Sequence, residues 1–327
     1  MPAWSAAALA AIAAFYVAGG SGLKDDSVAC PGDGFAALQL APSWRHRPKA
    51  SAGDPQVAAR LLEDDHRSTC SVVLLTTFLS SKPDPVRGGH IPLTRSYIER
   101  YYRSVLAIPG GRARAVVLHD NLPENVTGPM TMPDGSFSFV KVDLSGIDPL
   151  LSPNDLRYLL FQEQVAQHPE WSTVFMTDGR DVTVMHNPCA LVERHPERVF
   201  IQSEEDTPVA RSFLLKLRFT GLGGKYMEWF EQVDPFRKVL NPGIVGGSRT
   251  VVLDLLAKFR AVFLDPEMAL RKNADVFETA GNVINVNMAV ANYVVYKDLA
   301  ASIQTGLPLH SRWSLHENRT DVYFTHK

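Results

Sequence analysis

Cysteine is scarce in this sequence, neither sign of charge dominates, and no long apolar run occurs. Cys30, Cys70 and Cys189 are the only cysteines in 327 residues. An odd number with no C-x-x-C pair suggests neither a zinc site nor a disulfide framework. Spacing does not argue for a bridge such as Cys30–Cys70, and Cys189 reads as a buried structural thiol. The net charge of −2 gives no reason to expect nucleic acid or an acidic membrane as partner, so an anionic ligand must be met by a local site. There is no G-x-S-x-G elbow and no cysteine in an activating context, which removes the usual nucleophilic triads. A G-K-[ST] phosphate loop and an early G-x-G-x-x-G fingerprint are also missing.

The apolar run at the start, Ala6 to Ala18, is short of the roughly 20 residues a spanning helix needs. It is followed by Gly19, Gly20, Ser21 and Gly22, small residues resembling a cleavage region, but no Lys or Arg precedes it. Residues 1–22 therefore read as a signal peptide, a signal anchor or an Ala-rich helix. The triplets Asn125-Val126-Thr127 and Asn318-Arg319-Thr320 fit the N-glycosylation pattern. Together these favour a secretory route, with the ER or Golgi lumen as destination and membrane anchoring through residues 1–22 as one option.

What the sequence does contain is a core. Hydrophobic residues make up 45% and charged residues 21%, as in ordinary globular domains. Residues 23–67, punctuated by Pro31, Pro42, Pro48 and Pro55, read as a stem or irregular extension, and a compact domain is expected over 68–327. There, β-rich runs at Ser71–Phe78, Ala113–Asp120 and Phe137–Leu144 alternate with helical patterns at Leu93–Leu106 and, opened by Ser152 and Pro153, onward to about His168. This alternation predicts an α/β fold, a mostly parallel Rossmann-like sheet flanked by helices in a single domain. A short strand at Val199–Gln202 and helices near Phe213–Phe219, Met227–Val233 and Val251–Phe263 follow.

The stretch from Val174 to Met185 organises the chain. An apolar strand, Val174-Phe175-Met176-Thr177, delivers Asp178 and Asp181 to the carboxyl end of the sheet, where α/β ligand sites lie. Two carboxylates there can hold Mg²⁺ or Mn²⁺, which in turn hold phosphates; the plainer alternative is a pair of solvated turn acids. Further candidates lie downstream. Asn241 to Ser248 is Gly-rich and reads as a loop between helices, either binding ligand or capping a helix. Asn287 reads as the cap of a helix running to about Ala301, and Asn292, inside that apolar helix, needs a buried network or a ligand. The terminal run Asp321 to Thr325 is a strand pattern ending in His326, a residue type that ligates Mn²⁺-like ions.

Four segments resemble the nucleotide-sugar glycosyltransferases of the GT-A fold. They are Phe175-Met176-Thr177-Asp178-Gly179-Arg180-Asp181-Val182 with His186-Asn187-Pro188, similar to the "TD-x-RDV … NP" form of the DxD motif in algal and plant glycosyltransferase-like proteins; Leu240 to Gly247; Asn287 to Tyr293; and Gly306-Leu307-Pro308-Leu309-His310-Ser311 leading to His326-Lys327. The resemblance implies a GT-A-like domain that moves a sugar from a nucleotide diphosphate sugar to a glycan, protein or other hydroxyl acceptor. It implies Mn²⁺ or Mg²⁺ held by Asp178, Asp181 and His326. It places Arg180, Asn241, Gly243, Gly246 and Gly247 at the nucleotide-sugar site, with Arg157 contacting the nucleotide or pairing with Asp181. Asn287 and Asn292 are the catalytic candidates, although an amide cannot act as a base. The spacing is Asp-Gly-Arg-Asp, so both carboxylates need not touch one ion. Two other readings stay open: an inactive binding or scaffold protein with the same fold, and a different metal-dependent phosphoester enzyme.

Overall fold

The computed structural model describes residues 54–85, 89–273, 285–312 and 319–326. The reading of residues 1–22, Cys30, the Asn318 sequon and Lys327 lie outside the described residues. Among the described residues no helix is long and apolar enough to cross a membrane.

The expected fold class is observed. Ten strands occur among the described residues: β1 Val72–Phe78, β2 Ala113–His119, β3 Phe137–Lys141, β4 Thr173–Thr177, β5 Val182–Val184, β6 Val199–Pro208, β7 Lys238–Ser248, β8 Ile303–Gln304, β9 His310–Arg312 and β10 Phe324–His326. The main sheet runs β3-β2-β1-β4-β7-β6-β8, and β5, β10 and β9 form a small second sheet. β3, β2, β1 and β4 are mutually parallel, β7 runs antiparallel to β4 and β6, and β6 and β8 are parallel. The α-helices among the described residues are α1 Pro55–Arg67, α2 Glu99–Leu106, α3 Glu124–Met130, α4 Pro153–Gln167, α5 Cys189–Arg194, α6 Phe213–Leu222, α7 Gly224–Gln232, α8 Arg249–Phe263, α9 Ala269–Lys272 and α10 Asn287–Asp298.

The apolar strands are unbroken because both faces are covered. In β1, Val73 and Leu75 pack with α4, α8 and α10, while Val72, Leu74 and Phe78 pack on the other face with Tyr101 and Val105 of α2. β4 splits the same way, Val174 and Met176 to one core and Phe175 to the other. This is the two-residue alternation of a strand serving two cores at once.

Four expectations need correction. The Gly-rich stretch Asn241 to Ser248 is not a loop; it is most of β7, a strand inside the sheet. Residues 23–67 are not irregular to their end, because α1 fills 55–67, capped by the Asp54 carboxylate on the Gln56 amide at 2.9 Å. Asn287 does not cap α10: the cap position is Val286, and the Asn287 amide donates to Asn285 Oδ1 at 3.2 Å. Cys189 is not a free thiol; it is joined to Cys70 in a disulfide. The bridge ties Cys70, two residues ahead of β1, to Cys189 at the start of α5. In the chain-entropy account a loop of roughly a hundred residues closed this way contributes on the order of 4 kcal/mol.

Two polar devices hold the elements that carry the site. Ser152 and Asp155 form a capping box at the start of α4, and the other oxygen of Asp155 accepts the Val286 amide at 3.0 Å. One buried carboxylate thus caps α4 and seats the start of α10. Burial pushes this carboxyl up to about 6, even though every hydrogen bond it accepts favours the ion. The second device is His186, which lies between Asp65 Oδ2 of α1 at 2.7 Å and the Thr320 carbonyl at 2.7 Å. Both partners are acceptors, so both ring nitrogens donate and the ring is an imidazolium. Burial opposes the charge, but Asp65 and Thr320 outweigh it and hold His186 above its ordinary value.

A histidine raised on folding contributes stability that is complete below its unfolded value and is lost as pH rises through the folded one. The thermal midpoint is therefore expected to fall above about pH 6.5, and His186→Gln is expected to flatten that part of the profile. Parallel wild-type and variant melts across the range measure this; identical slopes would refute it.

Candidate metal and ligand site

The site forms where the two sheets meet. β4 ends at Thr177, the Asp178–Asp181 turn follows, and β5 begins at Val182 in the second sheet. β10 pairs with β5 so that His326 lies opposite Val182, next to Asp181. On the other side, β7 pairs with β4 so that Ile244 lies opposite Thr177, and the Asp178 amide donates to the Gly243 carbonyl at 2.8 Å. Pairing in two sheets thus brings residues remote in sequence to one short turn.

His326 Nε2 is 3.5 Å from Asp178 Oδ2 and 3.7 Å from Asp181 Oδ1. One donor atom from each of the three residues falls within 4.8 Å of the others. Two carboxylate oxygens and an imidazole nitrogen suit a Mn²⁺-like or Mg²⁺-like ion, with further positions left for substrate oxygens. Gly243 makes the room. A Cβ there would collide with the His326 ring and stand 2.8 Å from Asp178 Oδ2. The residues present therefore fit a divalent cation, both in donor type and in the space left for it.

The charges are arranged to keep Asp178 ionised. Burial raises the Asp178 carboxyl, but the Arg157 guanidinium and His326 outweigh it and hold it well below the carboxylate range. Arg157 donates through NH1 to Asp178 Oδ1 and through NH2 to Tyr158 Oη at 2.8 Å, and the tyrosine hydroxyl donates to the Pro242 carbonyl at 2.9 Å. Arg157 therefore pairs with Asp178, not with Asp181 as one of the two expected contacts had it. This leaves Asp178 Oδ2 facing His326. Burial disfavours a charged His326, yet the two aspartates push it up to about 9, so an incoming cation must displace a proton.

A cavity of about 250 Å³ opens beside this cluster. Its lining includes the apolar and aromatic side chains of Phe78, Leu79, Ile91 and Tyr97, with the Arg180 guanidinium 5.1 Å from the Tyr97 ring centre. It also includes Asn154, Asn285, Asn287 and Arg218. Asn241 lines the cavity too, and its side chain is spent on two bonds, accepting the Gly243 amide at 2.9 Å and donating to Glu204 Oε1 at 2.7 Å. Buried polar atoms of the lining residues, among them Thr76 Oγ1 and Asn287 Oδ1, have no hydrogen-bond partner among the described residues.

The remaining sequence candidates lie elsewhere. Gly246 and Gly247 sit deeper in β7, away from the cavity. A Cβ on Gly246 would stand 2.5 Å from the Phe175 ring, and one on Gly247 would stand 2.7 Å from the Arg198 carbonyl. Both serve strand packing. Asn292 is fully buried on α10 and brackets β7, accepting the Leu240 amide at 2.9 Å and donating to the Leu240 and Met288 carbonyls at 2.8 Å each. Its polar atoms are consumed by the fold. Sequence reasoning missed Gln202, whose side-chain oxygen accepts from His326 Nδ1, and it missed Thr76; neither carries a motif.

No protein-family model matches the chain, and no curated protein matches it. Among solved structures it is similar to galactosyltransferase LgtC in complex with donor and acceptor sugar analogues, at 12% identity and a TM-score of 0.44. It is also similar to an active-site mutant of LgtC, at 12% identity and a TM-score of 0.43. Each match covers 78% of this chain and 86% of that one. At this depth of superposition the functional reading rests on the geometry of the site itself.

Gly243→Ala is expected to leave the fold intact and weaken Mn²⁺ binding by roughly 10–100-fold, the range seen when a supporting group of a metal site is disturbed. Calorimetric titration of wild type and variant, with circular dichroism to check folding, measures this. Equal affinity would mean that the space at residue 243 is not needed.

Proposed function

We propose that the chain is a nucleotide-sugar-dependent glycosyltransferase, moving a sugar from a nucleotide diphosphate sugar to a hydroxyl of a glycan or protein acceptor. The observation that carries this is the Asp178, Asp181 and His326 cluster on the wall of a cavity that also presents aromatic and apolar side chains and several amides. A diphosphate joining a flat base to a polyhydroxylated ring matches that mixture of walls. The unpartnered Thr76 Oγ1 and Asn287 Oδ1 are the kind of buried polar atoms that a hydroxylated ligand satisfies.

In such a transfer the bond between the anomeric carbon and the phosphate oxygen breaks, and the electron pair leaves with the diphosphate. A new bond forms from the acceptor oxygen, which gives up its proton. A bound Mn²⁺ or Mg²⁺ would supply the positive charge that stabilises the leaving diphosphate. Asp178, Asp181 and His326 would hold that ion. Arg157 keeps Asp178 ionised and fixes which of its oxygens faces the site. Arg180, exposed and held over the Tyr97 ring, adds a second positive group beside the nucleotide.

The test is calorimetric titration with UDP and with GDP, each with and without Mn²⁺, followed by turnover on a panel of donors. Nucleotide binding is expected to need the metal. Asp181→Asn is expected to lower metal-dependent binding at least about tenfold, and Asp178→Asn to do the same while retaining a partner for Arg157. Metal-independent binding, or phosphate release from simple phosphoesters in place of sugar transfer, would overturn the reading.

We infer an oxidising compartment, such as the lumen of the secretory pathway, as the place of action. The Cys70–Cys189 bridge supports it, because such bonds persist outside reducing cytosol. Mass spectrometry of the protein alkylated without reductant is expected to find Cys70 and Cys189 unlabelled; labelling of both in protein taken from its native compartment would count against this.

A further inference from the structure

Gln202 is almost completely buried, 3% exposed, on β6. Its position follows from an irregularity in the sheet. Ile201 of β6 pairs with Val245 of β7, but the next residue, Gln202, pairs with Asn241. Pro242, Gly243 and Ile244 are thus spanned by a single step of β6. Bulges of this kind bend a strand and re-aim side chains, and they gather next to sites. Pro242, with no N–H to donate, is accommodated at the irregularity. The result is that Gln202 Oε1 meets Nδ1 of His326, while Nε2 of the same ring points toward Asp178 and Asp181.

We propose that Gln202 is the positioning residue of the cation site: by accepting from Nδ1 it fixes the His326 tautomer that offers the Nε2 lone pair to the ion. This rests on the metal reading of Asp178, Asp181 and His326. The chemistry is definite. A neutral imidazole carries one ring proton, and only the nitrogen without it can ligate. An acceptor at Nδ1 keeps the proton there. An apolar residue at 202 would let the proton reside on Nε2, where the two carboxylates attract it, and that tautomer has no Nε2 lone pair to offer the ion at this site.

A second residue of β6 acts two positions on and on the same face of the strand. Glu204 Oε1 accepts from Asn241 Nδ2 at 2.7 Å, Asn241 Oδ1 accepts the Gly243 amide at 2.9 Å, and the Gly243 carbonyl accepts the Asp178 amide at 2.8 Å. One face of β6 therefore orients two of the three ligands, His326 through Gln202 and Asp178 through Glu204 and β7. Such outer partners typically change metal affinity by about 10–100-fold.

The experiment uses the full chain and Mn²⁺ alone, followed by calorimetry, with diamagnetic Mg²⁺ for nuclear magnetic resonance of the His326 ring nitrogens. Gln202→Leu is expected to weaken Mn²⁺ binding by roughly 10–100-fold and to lose the Nδ1-protonated signature in the metal-free protein at a pH where the ring is neutral, whereas an ion on Nε2 enforces that signature in any variant. Gln202→Glu, which strengthens the acceptor, is expected to match or exceed wild-type affinity and keep that signature. If Gln202→Leu misfolds, Gln202→Met, close in length and without the acceptor, takes its place. Wild-type binding with equal affinity and an unchanged tautomer in the apolar variant would overturn the role of Gln202 and leave the metal site standing. Absence of Mn²⁺ binding to the wild type would overturn the metal reading itself, and this inference with it.

Discussion

The space left by a missing β-carbon at residue 243 is the constraint on which the site depends. The His326 ring and the Asp178 carboxylate approach each other over the backbone of β7, and any side chain at that point would hold them apart. The strand cannot retreat, because β4 and β6 flank it and Asn292 of α10 grips it at Leu240. With the backbone held on three sides, the gap is a fixed feature, and the polar groups around it must fit its dimensions. Glycine within a strand interior weakens the strand and marks a close approach; here the approach is of two ligating side chains.

Around that gap the electrostatics are layered. Arg157 neutralises Asp178 from one side, and His326 faces both aspartates from the other. A buried arginine of this kind cannot be left alone cheaply, since an uncompensated buried charge costs several kcal/mol, about 3–5. The pair therefore constrains both partners: Arg157 needs a carboxylate, and Asp178 needs a cation. The remaining acid, Asp181, stands beside the β5–β10 pairing and depends on the second sheet for its place. The main sheet carries Asp178 and the small sheet carries His326, so the cluster exists only while both sheets hold their register.

Much of the scaffold was legible in the sequence, and the reason is burial. β1 and β4 are buried along almost their whole length and carry apolar runs, Val72–Leu75 and Val174–Met176, because both faces are covered. α4 announced itself through Ser152, Pro153 and Asp155, whose cap is local in sequence. Local signals failed where the structure is decided at long range. Asn241-Pro242-Gly243 reads as a turn by any rule of composition; it is strand because β4 and β6 supply hydrogen bonds on both sides and the irregularity opposite Gln202 absorbs the proline. Asn287 looked like a cap, but Asp155, remote in the chain, does part of that work for α10. The disulfide partner of Cys70 could not be chosen by spacing, because the fold alone brings Cys189 beside it. At the site, Asp178, Asp181 and His326 are of residue types that advertise themselves. Gln202 and Thr76 do not, since an amide and a hydroxyl in apolar strands have many plainer uses.

The partners His326 and Gln202 are 124 positions apart, and the strand that carries His326 is the last of the described elements. Contacts of such span form late in folding, because loop-closure entropy must be overcome before they contribute. A chain still emerging from synthesis therefore has the aspartates and the cavity walls before it has the third ligand. Competence to hold a cation requires β10 in its place beside β5, and a cation bound there favours that completed state over every partial one by mass action. In that sense the cluster serves as a seal on the packed fold, closed when the two sheets are joined.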